Sequence, residues 1–145
     1  MRSARATLLA SMLLASTLVA TICQAAGAAP AALLNKLKSL AGPDSRDCGV
    51  VALHESPEAA VACVASANSA GKAYRLAVEF QGTDSIAWQG AVRDEQGKLR
   101  VLYYDSDPSG GAGAGTTLSV VLCREILFAA QGNDVIDCKP VIGEP

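Results

Sequence analysis

The chain has 145 residues, half of them hydrophobic, with 12 basic and 14 acidic side chains and a net charge of −2. It carries no arginine run to neutralise phosphates and few aromatic rings to stack on bases, so nucleic acid is not an expected partner. The length suits one domain with one core.

Residues 1–28 read as an export signal. Arg2 and Arg5 supply the positive start, residues 8–23 are an apolar and small-residue run, and alanine and glycine dominate the stretch that follows. Cleavage after Ala25 or Ala28 satisfies the small-x-small rule. The run is near the lower limit for crossing a bilayer, about 17 residues, so no stable transmembrane anchor is expected after processing. Lipidation at Cys23 is the alternative, and Ile22 before it fits that reaction poorly. The protein is therefore expected to be exported, periplasmic or secreted, and its alanine-rich, lysine-poor style is bacterial. The leader holds two of the basic residues and none of the acids, so its loss takes the charge from −2 to −4.

Residues 29–43 form a short lead-in. Pro30 suits a first helical turn, Leu33, Leu34, Leu37 and Leu40 recur at helical spacing, and Gly42-Pro43 stops the run. A helix this short does not hold alone in water. Within the domain spanning 44–145, Ser56 and Pro57 open a second helix, Glu58 favours the positive end of its dipole, and Gly71 ends it.

From Lys72 the hydrophobic period becomes two. Tyr74, Leu76, Val78 and Phe80 alternate with polar or small residues, and Ile86, Trp88 and Val92 do so beyond the turn at Gly82. Asp94-Glu95-Gln96-Gly97 reads as a hairpin turn, after which Leu99, Val101 and Tyr103 resume the pattern. Residues 116–127 make a fourth strand, with Leu118, Val120 and Leu122 on one face, and 135–141 a short fifth. Short connections imply an antiparallel meander. The expected fold is α+β, with one main helix on a four- to five-stranded antiparallel sheet, reinforced by disulfides and preceded by the amphipathic lead-in.

Four cysteines lie past the leader: Cys48, Cys63, Cys123 and Cys138. Three pairings exist, and local pairing in two C-x14-C loops is expected. Pairings that tie the helix to the fourth strand are the alternatives. C-x2-C spacing is missing, which argues against zinc and disulfide-exchange catalysis.

Signals for catalysis are sparse. The sole histidine, His54, sits just before the second helix, and no G-x-S-x-G elbow is present. Carboxylates near Asp84, Asp94 and Asp105 would serve a small hydrolase only if folding gathers them. Asp105, Asp107 and Ser109 match the first half of a calcium loop, but position twelve is Thr116 where a bidentate glutamate belongs. Calcium is thus at most a weak ligand, and no cofactor is expected. The glycine-rich stretch 107–115 is long for a hairpin and offers a contact surface.

Tyr74, Leu76, Val78, Trp88, Leu99 and Val101 are expected beneath the main helix. The reverse face then carries Ala77, Ala87, Ala91, Leu102, Tyr104 and Val121, more apolar than water requires. Either the lead-in helix covers it, or it awaits a protein partner or a second copy in a homodimer. The reading is a non-enzymatic exported binding module, for instance an inhibitor of an exported enzyme. The rivals are the small hydrolase and a calcium-dependent envelope protein.

Overall fold

The computed structural model describes residues 28–82, 85–110, 115–129 and 135–141. The expected export signal and Cys23 lie outside the described residues. Eight elements follow one another: α1 (Ala31–Ala41), β1 (Arg46–Val51), α2 (Glu58–Ser69), β2 (Tyr74–Gln81), β3 (Ile86–Arg93), β4 (Leu99–Asp105), β5 (Thr117–Phe128) and β6 (Ile136–Pro140). Both helices start and stop on the expected residues within one position. Pro30 caps α1, Pro57 caps α2, and Gly71 takes the left-handed conformation after α2 with φ 65°.

The strands form one sheet in the order β1-β2-β3-β4-β5-β6. It is mixed, which corrects the expected antiparallel meander: β1 runs parallel to β2, and every other ladder is antiparallel. The helix α2 returns the chain between β1 and β2, as a parallel pair requires. Strand β1 gave no alternation in the sequence because it carries a register shift between Asp47 and Val50. Gly49 sits in that shift at φ 92°.

The sheet separates two cores. On one side α2 lays Ala60, Val64 and Ala67 against Tyr74, Leu76, Val78, Ala91 and Val101, with Ile136 closing the far end. The sheet curls toward this side: Tyr74 on β2 and Phe128 on β5 meet edge to face with centroids 6.4 Å apart. Burial pushes the Tyr74 phenol up to about 12, against a smaller opposing effect of Arg93. On the other side α1 lays Leu33, Leu37 and Ala41 over Ala77, Trp88, Val92 and Leu102.

Trp88 is thus on the face opposite to the expected one. Alternation fixes parity within a strand, but the hairpin sets it between strands. Here the β2–β3 register places even-numbered residues opposite odd-numbered ones, Leu76 facing Ala91 and Glu79 facing Trp88. Ala87 and Ala91 consequently lie on the α2 side.

Gly90 explains how α1 approaches. A β-carbon there would stand 2.7 Å from Leu37 Cδ2, so the glycine is the notch into which Leu37 fits.

Both disulfides follow the local pairing, Cys48–Cys63 and Cys123–Cys138. The first ties β1 to α2. The second ties β5 to β6 beside a register shift between Cys123 and Glu125. That bulge resets the parity of β5, so that Cys123, Ile126 and Phe128 all join the α2-side core.

The β3–β4 hairpin closes on Asp94, whose side chain is 7% exposed. Its Oδ1 accepts the amides of Gln96 and Lys98, and its Oδ2 accepts from Arg100 at 2.7 Å. Burial works to raise the carboxyl pKa. It is outweighed by the Arg100 hydrogen bond and charge and by the two amides, so the group sits below the usual carboxylate range. A depressed pKa stabilises the fold above the carboxyl's unfolded value, and that contribution is lost as pH falls through the folded value. Asp94→Asn is expected to lower stability by about 1–3 kcal/mol at neutral pH. Urea melts from neutral to acidic pH should show the gap closing toward the acid end; a constant gap would contradict this linkage.

Candidate functional site

Two surfaces stand out. The first is a hollow of about 590 Å³ at the carboxyl end of β1 and β2, where α2 begins. The loop from Ala52 to Pro57 forms one wall, and Glu79, Phe80 and Gln81 form another. Carboxylates fold this loop: Glu55 Oε2 accepts the Ala52 amide at 2.9 Å, and Glu79 Oε2 accepts the Leu53 amide at 3.0 Å. His54 is exposed and held at φ 70°, the one non-glycine residue with positive φ among the described residues. Ser56 Oγ accepts the Glu58 amide at 3.4 Å, but the N-cap position of α2 falls on Pro57, one residue after the Ser56 expected there. The sequence marked His54 and Ser56 but not the bond that the Leu53 amide donates to Glu79, which arises only because β2 returns beside β1.

Of the carboxylates considered for hydrolysis, the two described ones, Asp94 and Asp105, lie at opposite ends of β4. Asp94 stands before β4 in its own hydrogen-bond cage, and Asp105 ends that strand. Asp84 lies outside the described residues. At the calcium-like turn, Asp105 Oδ1 accepts the Asp107 amide at 2.9 Å, and the Gly110 amide donates to the Asp107 carbonyl. Ser109 is exposed. Among the described residues, no group of three or more His, Cys, Asp or Glu side chains is placed to hold a metal ion. Part of the glycine-rich loop, residues 111–114, lies outside the described residues.

The second surface is the α1 side of the sheet. Of the six residues expected to form a free reverse face, four are buried: Ala77, Ala87, Ala91 and Leu102. Ala77 and Leu102 are covered by α1, and Tyr104 packs at the edge of that cluster. Val121 packs against the α2-side core. This corrects the expected patch, because α1 fills its centre and the hairpin register sends part of it to the opposite side.

The neighbouring strip is only partly covered: Val120 is exposed, Leu118 and Leu122 are half-buried, and Leu118 packs against the α1-side core. The helix α1 lies over β2, β3 and β4. Beyond it, Leu118, Val120 and Leu122 continue the α1 side along β5, since Tyr104 pairs with Leu118, Leu102 with Val120 and Arg100 with Leu122. Val120 is 41% exposed, Leu127 further along β5 is 42%, and Val141 after β6 is 38%. The Glu125–Lys139 ion pair, 2.7 Å long, interrupts the strip before Leu127. The alternation of Leu118, Val120 and Leu122 was visible in the sequence; which side they face was not.

No protein-family model, curated protein or solved structure matches this chain. Its function therefore has to be argued from these two surfaces.

Proposed function

We propose that this chain is an exported, non-catalytic binding module that engages another protein, an inhibitor of an exported enzyme being the concrete version. The observation that carries the reading is the apolar row on β5 beside α1, where Val120 is exposed between half-buried Leu118 and Leu122, with exposed Val141 next to it. A partly exposed row of branched apolar side chains on a disulfide-stapled sheet suits a docking surface. The leader-like residues 1–28 support export, and two disulfides suit an oxidising compartment.

The second reading is a small carboxylate-dependent hydrolase. It draws on the hollow whose lining includes His54, Glu55 and Glu79. Both carboxylates there already hold backbone amides, which favours a structural role for them.

Native mass spectrometry of the protein isolated from its own compartment tests the choice. A defined complex with another protein is the expected result. A bare monomer whose hydrolytic activity disappears in Glu79→Gln, with the fold intact, would replace the binding reading by the catalytic one.

A further inference from the structure

We infer that α1 is a releasable strap, a helix that leaves the sheet as one unit and uncovers Trp88 while the disulfide-bonded body stays folded. The inference concerns this cover alone and does not rest on the binding-module reading.

The hold on α1 is apolar and narrow. Seven of its eleven residues are exposed, and its buried anchors are Leu33, Leu37 and Ala41. Among the described residues, no side-chain hydrogen bond or ion pair joins α1 to the sheet; Ser39 Oγ donates back to the Lys36 carbonyl of the same helix. Both disulfides lie elsewhere, Cys48–Cys63 and Cys123–Cys138, so the covalent reinforcement of the fold does not reach α1. The two cores share no residue, and the one beneath α2 keeps its contacts whether or not α1 is seated. Segments held in this way open below the free energy of global unfolding.

The seat also carries an internal opposition. Trp88 is fully buried in the α1-side core, and its Nε1–H finds no acceptor among the described residues. Burial of the ring favours the closed strap, whereas a sealed donor without a partner is stabilised by meeting water and so favours release. Beyond Ala41 the chain passes through Gly42, at φ 89°, and Pro43 before β1 begins at Arg46. That connector lets the helix leave while β1 keeps its ladder with β2. Once free, an eleven-residue helix melts, and the recovered backbone entropy adds to the open form.

Native-state hydrogen exchange, followed by NMR on the intact, disulfide-bonded chain, tests this. Trp88 is the sole tryptophan, so its indole proton gives one signal that reports the seal directly. The expected result is that this proton and the amides of Leu34–Ala41 are about 100-fold less protected than the slowest amides of β3. Low urea should hardly change their exchange, while the β3 amides accelerate, because release exposes far less surface than global unfolding. Val64→Ala removes packing beneath α2, which the closed and released forms share. It should therefore speed the β3 amides about tenfold and leave α1 and the indole unchanged. One common protection and urea dependence for α1, the indole and β3 would overturn the inference, as would equal acceleration of all three by Val64→Ala. Fast α1 amides above an indole as protected as β3 would mean fraying without release, and would overturn it too. Should Val64→Ala fail to fold, the urea series on the unaltered chain decides by itself.

Discussion

Replacing Cys48 and Cys63 together by alanine is expected to lower stability by about 3 kcal/mol. The bridge closes a loop with a sequence separation of 15, and most of its effect lies in the unfolded chain, whose freedom it restricts. Its location adds to the argument. β1 is an edge strand with one ladder neighbour, β2, and a register shift interrupts that ladder. The bridge anchors the strand to α2, which is itself held by small side chains, Ala60 and Ala67 with Val64. Thermal melts should show the midpoint falling by roughly 10 °C or more for a domain of this size. Urea melts should show a steeper transition, because the unbridged chain exposes more surface when unfolded. A loss below about 1 kcal/mol would mean that the unfolded chain is already confined without the bridge.

The seat of α1 gives the second large effect. Leu37→Ala removes a side chain that is 1% exposed and is expected to lower stability by about 3 kcal/mol. Gly90→Val attacks the same contact from the sheet: its β-carbon would stand 2.7 Å from Leu37 Cδ2, and the buried leucine has little room to turn aside. Overpacking of this kind is expected to destabilise by about 1–3 kcal/mol. Once displaced, α1 is too short to persist alone. Trp88, the sole tryptophan and fully buried beneath α1, would then meet water, so its emission should shift to the red in Gly90→Val. The double variant should lose less than the two single losses combined, since valine occupies space that alanine at 37 vacates. Strict additivity would show that Leu37 and Gly90 do not share a contact.

Several features were legible without tertiary structure because their causes are local. Pro30, Gly42, Pro57 and Gly71 bound two helices through backbone restrictions that act within a few residues. The hairpin at Asp94 to Gly97 announced itself by residues that tolerate tight turns. It folds with Gly97 at φ 81° and with the Gly97 amide donating to the Asp94 carbonyl. The pairing of cysteines at equal short spacing also held. Local alternation located β2 to β6 to within a residue or two.

The candidate surfaces were harder to see. Nothing in Arg46–Val51 announces a strand, since its register shift and Gly49 erase the alternation. With β1 unseen, neither the parallel pair nor the hollow at its carboxyl end was foreseeable. The expected reverse face mixed residues of both sides for a related reason: Ala77 and Leu102 belong under α1, whereas Ala91 and Val121 belong to the α2-side core. Leu118, Val120 and Leu122 were recognised as one row, but a row read from one strand does not say which way it points.

The division follows from range. Proline and glycine limits, period-two alternation and turn chemistry act between near neighbours, so the amino-acid sequence by itself determined the helices, five of the six strands and the pattern of cysteines. Which side of the sheet each strand presents depends on the offset between partners, set by the β2–β3 connection and by the bulge beside Cys123. Only the folded molecule decided that β1 joins in parallel, that α1 seats in the notch at Gly90, and that Val120 on β5 stays exposed beside it. Each of those outcomes depends on contacts between residues distant in the chain, whose geometry no short stretch of sequence encodes.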